Sequence, residues 1–238
     1  DSNEIIADAD IPVSVLNMAI SLKADVTYSP AGSFEVIDLD EYTPTNRDRV
    51  KDFFASIFLA LDIGAQGRLK FASDIPYRSG LGGSSALLAA SIKAISLGLN
   101  LGLDRRDIAQ IAYDAERVLF ENPGGWQDQW ASSFGGMLLL QFSNKEVTVT
   151  RPELPLVIKQ RLANEMFLMR LKTTRSDYGV SSQIQSDASI QSPPAGFTGA
   201  IGGLDRLCVG DYENFIAAIN SNFADKLSRL VGPVVDEI

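Results

Sequence analysis

The sequence predicts an α+β fold in two layers, divided into two domains, and three observations carry that prediction. β-rich segments fill residues 13–38, apolar residues at three-to-four spacing mark helices from about residue 48 onward, and two prolines in four residues at 152–155 interrupt both patterns. The chain has 238 residues, 45% hydrophobic and 21% charged, the balance of an ordinary globular protein with enough apolar surface for a real core.

Taken in order, VSVLNMAISLKADVTYS and SFEVIDLD, parted by the Pro30–Gly32 turn, read as a β-meander. DRVKDFFASIFLALD, Asp48 to Asp62, places Val50, Phe53, Phe54, Ile57, Phe58 and Leu61 on one helical face. RLKFASDIP reads as a strand ending at Pro76. A Gly/Ser-rich loop follows, then a helix in SSALLAASIKAISLGLN whose Leu88, Ile92, Ile95 and Leu99 stack on one face, with Gly98 and Gly102 near its end. Asp104, with Asp107 three residues on, is an N-cap that opens the next helix, and Ile108, Ile111, Ala115 and Leu119 form its buried stripe. ENPGG ends it. After a short WQDQWASSF segment, MLLLQF and EVTVTR flank Ser143-Asn144-Lys145 as a hairpin. PELP then sets the boundary between a domain over residues 1–152 and a smaller α+β domain over 156–238. Beyond it MFLMRLKT reads as a strand, and residues from Asp177 onward as mostly helical around a proline-containing loop at Ser192 to Gly196. SSQIQSDASIQSPPAG is a low-complexity surface segment.

Composition excludes several functions. Lys plus Arg total 21 against 30 Asp plus Glu, a formal charge of −9, which disfavours phosphate backbones and anionic lipid as partners. One cysteine, Cys208, rules out an intrachain disulfide framework and multi-cysteine metal sites. With no histidine, no Ser-His-Asp or Cys-His pair, HExxH zinc site or haem histidine can be built. Proton chemistry must use carboxylates, Lys, Tyr or water. The acidic start DSNEIIADADIP has neither the basic nor the apolar region of a secretory signal, and no apolar run reaches the ~18 residues of a spanning helix. A soluble cytoplasmic protein, monomer or homodimer, is the expectation.

Two stretches carry chemistry. PYRSGLGGSSA, residues 76–86, lies between a strand and a helix, and its glycines and serines let backbone N–H groups converge on an anion at a helix start. It is neither a Walker A loop nor GxGxxG, and a plain strand-to-helix turn is the bland alternative. The second stretch is AERVLFENPGGWQDQWASSFGG, in which Glu116 and Asp128 stand twelve residues apart across a Pro-Gly-Gly turn. Two carboxylates beside a phosphate-cradling loop suit magnesium. The bland readings are a solvated helix face for Glu116 and a loop cap for Asp128. Trp126 and Trp130 are core aromatics or a sugar-stacking surface.

Together the two stretches resemble the GHMP kinase superfamily of galactokinase, homoserine, mevalonate and phosphomevalonate kinases. Pro76, Gly80, Leu81, Gly82, Ser84 and Ser85 match its Pro-x-x-x-Gly-Leu-Gly-x-Ser-Ser pattern, and GGWQDQ followed by FGG is closest to the branch resembling L-fucokinase and D-glycero-D-manno-heptose 7-phosphate kinase. The resemblance implies a two-layer fold with an N-terminal nucleotide-binding domain and a smaller C-terminal substrate domain. It implies ATP-dependent phosphorylation of a sugar or sugar-phosphate hydroxyl, the anomeric one. Ser79, Gly80, Leu81, Gly82, Gly83, Ser84 and Ser85 would wrap the triphosphate, and Ser84 (or Ser85) with Glu116 would hold Mg²⁺. Asp128 would sit beside the attacking hydroxyl as base or orienting anion, and Asp10, Gly125 and Arg175 would join it on the sugar. Such chemistry needs positioning and charge neutralisation and no histidine. An N-terminal strand with an Arg and a Gly-rich turn, and a C-terminal Gly-rich motif, are family elements missing here, so the chain is expected to be clipped at both ends. Two other readings stand beside the sugar kinase: a nucleotide- or sugar-binding protein that has lost catalysis, and a kinase of the same superfamily for a non-sugar alcohol such as mevalonate or homoserine.

Overall fold

A computed structural model describes residues 13–38, 43–76, 79–122, 124–143, 146–168 and 196–229. The described residues contain six strands and seven α-helices, with one π-helical turn, in two compact units. One unit draws on residues 13–18, 136–168 and 196–229, and the other on residues 19–135.

The second unit contains β2 (Ala24–Ser29), β3 (Phe34–Val36), α1 (Pro44–Ala60), β4 (Gly67–Ser73), α2 (Gly83–Leu99), α3 (Arg105–Tyr113) and α4 (Gln127–Phe134). Its sheet has the order β2-β4-β3, antiparallel between β2 and β4 and parallel between β3 and β4. β4 alternates in burial: Leu69 is fully buried, while Arg68 and Lys70 face solvent and pair with Glu35 and Asp38. A two-layer unit follows, because helices cover only the apolar face. The core is Leu69, Phe54, Ile57 and Phe58 of α1, Leu88, Ile92 and Ile95 of α2, and Ile108 and Ala112 of α3. Each such large apolar side chain contributes roughly 1.5–3 kcal/mol by leaving water.

The helix boundaries have local causes. α1 starts before the expected Asp48 because Thr43 caps it, its hydroxyl accepting from the Asn46 N–H at 3.4 Å, and Pro44 supplies a helical φ at N1. α2 ends where Asn100 takes the left-handed conformation (φ 54°), so neither Gly98 nor Gly102 is its terminator. Gly98 instead makes room for the Tyr28 ring, which an added Cβ would meet at 2.4 Å, and Gly67 meets the other edge of that ring at 2.3 Å. α3 has the expected capping box, Asp104 accepting from the Asp107 N–H at 2.9 Å while Asp107 accepts from the Asp104 N–H at 2.9 Å.

Two expectations are corrected. Residues 13–38 form no meander: β1 (Val13–Met18) pairs antiparallel with β5, whereas β2 and β3 flank β4 in the other sheet. Partner choice rests on contacts far apart in sequence, which alternation does not encode. The helix after Asp104 does not keep its α period either. At Asp114–Leu119 it widens into a π turn, closed by Phe120 N–H donating to Ala115 C=O at 3.0 Å. Ala115 and Glu116 are buried there, and the extra residue rotates the inward face so that Val118 and Leu119 are exposed.

In the first unit, β5 (Met137–Ser143) and β6 (Glu146–Thr150) form the expected antiparallel hairpin, and β1 completes the order β1-β5-β6. α5 (Leu156–Glu165), α6 (Gly196–Cys208) and α7 (Tyr212–Arg229) supply the helices, with Ile158, Leu162, Leu204, Leu207, Tyr212 and Phe215 packed around Leu139. Because β1 pairs with β5, the residues around the PELP segment fall inside this unit. Met166 to Leu168 form no strand, and the rest of MFLMRLKT lies outside the described residues, as does most of SSQIQSDASIQSPPAG. Among the described residues no helix is long and apolar enough to cross a membrane.

Replacing Gly98 by Ala should lower stability by about 1–2 kcal/mol in denaturant unfolding, although Ala is roughly 1 kcal/mol the better helix former, because the Tyr28 ring has no room to yield. The cap makes a pH-dependent prediction. The Asp104 carboxyl is held below its ordinary range by the Asp107 and Arg106 backbone N–H groups, so its stabilisation is present above about pH 4 and lost as pH falls through the lowered folded-state value. The melting-temperature deficit of Asp104→Ala should be full at pH 7 and shrink in acid.

Candidate active site

β4 ends at Ser73, whose hydroxyl accepts from the Ile75 N–H at 3.1 Å, and the chain then turns through the glycine-rich loop into α2. Gly80 and Gly82 both take positive φ, 73° and 68°, conformations that favour glycine. Gly82 is the N-cap of the 17-residue α2, and no side chain caps it. The first N–H groups of α2, on Gly83, Ser84 and Ser85, thus stand at the positive end of the helix dipole as donors for an anion. Ser79 and Gly80 are exposed, Leu81 to Ser84 partly so, and Ser85 is fully buried.

Glu116 contradicts its bland reading: it has zero exposure, on the same face as the buried Ala109, Ala112 and Tyr113. Its carboxylate accepts three hydrogen bonds and pairs with one guanidinium. Oε2 accepts from Ser85 Oγ at 2.7 Å and Gln129 Nε2 at 2.8 Å. Oε1 accepts from Asn122 Nδ2 at 2.9 Å and faces Arg117 Nη1 at 3.1 Å. Arg117 is itself nearly buried and also donates to the Gly125 and Asn122 carbonyls. Gly124 lets the guanidinium in, since a Cβ there would lie 2.6 Å from its Cζ.

The WQDQWASSF segment is α4, and its first turn carries Asp128 and Gln129 in opposite environments. Gln129 is fully buried between Trp126 and Trp130, both core aromatics: Trp126 packs on Tyr113 at 4.4 Å and Trp130 on Phe134 at 5.7 Å. Asp128 is partly exposed and lies against the glycine-rich loop. A Cβ on Gly82 would come within 3.3 Å of its Cγ. The fold thus brings together the loop, Glu116, Asp128 and Gly125. Asp10 and Arg175 lie outside the described residues.

Sequence reading missed Asn122, Arg117 and Gln129. A signal for Gln129 exists: Trp126, Gln129 and Trp130 share the inward face of one helical turn, where a polar side chain needs a partner.

The loop fits a triphosphate, having a glycine backbone at positive φ and an uncapped helix start. The Glu116 carboxylate is already engaged inside the protein: of its roughly four lone-pair sites, Ser85, Gln129 and Asn122 take three by hydrogen bonds, and Oε1 also faces the Arg117 guanidinium. Among the described residues no group of three or more Asp, Glu, Cys or His side chains could hold a metal.

The chain is similar to several known proteins. A D-glycero-alpha-D-manno-heptose 7-phosphate kinase of Campylobacter jejuni is 46% identical over 95 residues, 40% of this chain and 27% of that protein. An L-fucokinase/L-fucose-1-P guanylyltransferase of Bacteroides fragilis is 38% identical over 80 residues, 34% of this chain and 8% of that protein. The chain therefore matches about a quarter of one curated relative's length and less than a tenth of the other's. A crystal structure of a D-glycero-D-manno-heptose 1-phosphate kinase from Bacteroides thetaiotaomicron superposes with a TM-score of 0.67 at 21% identity, over 94% of this chain and 74% of that one, and so shares its fold. Residues 49–136, which hold the loop, Glu116 and Asp128, match the family described as GHMP kinases N terminal domain.

Proposed function

We propose that this protein is an ATP-dependent sugar kinase, transferring the γ-phosphoryl group to a sugar or sugar-phosphate hydroxyl, the anomeric one. The observation that carries the reading is the packing of the Asp128 carboxyl against Gly82, at the uncapped start of α2. A carboxylate that close to a phosphate cradle reaches whatever hydroxyl lies in line with the terminal phosphate. The heptose 7-phosphate kinase and fucokinase among the relatives support a sugar over mevalonate or homoserine.

In this mechanism residues Ser79 to Ser85 bind the triphosphate through backbone N–H groups, and Ser84 adds a hydroxyl beside it. Asp128 orients the acceptor hydroxyl and takes its proton at a carboxylate oxygen as the new P–O bond forms. Gly125, whose carbonyl is held by Arg117, lines the acceptor side, with Asp10 and Arg175 contributing to sugar recognition. Magnesium, when bound, would shield phosphate charge, and Ser84 would offer it an oxygen donor. Residues 1–152 take the nucleotide in this reading and residues 156–238 the acceptor. A reducing cytoplasm suits the free thiol of Cys208, and a monomer or homodimer suffices for the chemistry.

The test is magnesium-dependent ADP release from ATP by the intact native chain, across free sugars, sugar phosphates, mevalonate and homoserine. One sugar should support turnover, and Asp128→Asn should lower kcat by about 10²–10⁴-fold with nucleotide binding retained. Unchanged kcat in that variant would remove Asp128 from the chemistry. ATP binding without turnover on any acceptor would favour a binding protein on this scaffold.

A further inference from the structure

We propose that Gln129 is a positioning residue for Asp128, and that it acts through Glu116, which serves here as a buried tie. This inference rests on the kinase reading, in which Asp128 and the glycine-rich loop hold the two reactants.

Oε2 of Glu116 accepts from Ser85 Oγ and from Gln129 Nε2 at once. Ser85 is the third residue of α2 and Gln129 the third of α4. A single buried oxygen therefore ties the first turn of the helix that cradles phosphate to the first turn of the helix that carries Asp128. Hydrogen bonds to a charged, water-free acceptor are short and directional, so the tie fixes a distance and does more than fill space. The other carboxylate oxygen is held by Asn122 and Arg117, which anchors Glu116 itself. What the tie sets is visible on the solvent side of α4, where the Asp128 carboxyl reaches Gly82 so closely that a Cβ there would crowd it.

Gln129 is fully buried and faces away from the partly exposed Asp128 surface, so it meets neither nucleotide nor acceptor. Its effect must pass through Asp128, and that is measurable. Gln129→Met keeps the volume and removes the donor. Since a shift of about 1 Å in a reacting group costs about 10²-fold, kcat should fall by about that factor, while the dissociation constant for ATP and the acceptor KM stay within about threefold.

The deciding experiment is a mutant cycle. In an Asp128→Asn background, Gln129→Met should lower kcat no further, because the group it positions is already disabled. Multiplying losses, or a melting-temperature drop with kcat per folded molecule unchanged, would overturn the proposal. If Gln129→Met does not fold, Gln129→Asn, whose shorter amide does not reach Glu116, carries the same cycle. If the wild type turns over no acceptor, the kinase reading fails separately. Crystal structures of wild type and Gln129→Met then decide: displacement of the first turn of α4 from Gly82 supports the tie, and an unmoved turn refutes it.

Discussion

Glu116 places a carboxylate where water does not reach it, and the surrounding structure is arranged around supplying it with partners. An ion of this kind pays several kcal/mol to leave water unless charge and hydrogen bonds replace the lost shell. Here Arg117 supplies the opposite charge and Ser85, Gln129 and Asn122 supply donors. Each donor comes from a different stretch: the start of α2, the start of α4 and the loop after the π turn. Satisfying one side chain therefore fixes three segments, and those three segments bear the candidate site. The π turn belongs to the same logic, since in a regular α-helix the 3.6-residue period would carry the inward face on toward Leu119.

Close approach accounts for the glycines that matter. Gly124 admits the Arg117 guanidinium, Gly82 admits the Asp128 carboxyl, and Gly98 and Gly67 admit the Tyr28 ring. The first two concern the site and the third concerns the sheet-to-helix packing beneath it. Tyr28 shows the cost of such wedging, because its hydroxyl is buried without a hydrogen-bond partner and burial pushes its pKa up. The surrounding apolar contacts of β2, α2 and β4 hold it there.

How much was legible in the sequence follows from the range of the forces involved. The Asp104–Asp107 capping box, the stripe Leu88, Ile92 and Ile95, and the pairing of β5 with β6 are set by neighbours close in sequence, and each stands where local pattern puts it. The pairing of β1 with β5 joins Val13 to Phe142, and nothing in the alternation of VSVLNM names that partner. Glu116 and Asp128 were legible as a pair by motif, but their environments were not. Glu116 falls in helical register with the buried Ala109 and Ala112, but a lone carboxylate on that face does not say which distant donors, Ser85 and Gln129 among them, will meet it. Gln129 was hidden for a related reason: an eight-residue helix after Pro-Gly-Gly is too short to announce its inward face.

Charge supplies the last step. Glu116 and Arg117 neutralise each other inside the protein, so neither lends the site a net field, and the chain as a whole carries a formal −9. A triphosphate approaching such a surface is repelled at long range, by an amount that salt at physiological strength confines to about 8 Å. Donors that act at contact and carry no formal charge are little affected by that repulsion. Backbone N–H groups at an uncapped helix start are such donors, and they need glycine at Gly80 and Gly82 to present themselves. In the proposed reading the site combines these peptide dipoles with one partly exposed carboxylate, Asp128. The buried tie then has to do what a flexible lysine or histidine could not, which is to hold those dipoles and that carboxylate at a constant separation.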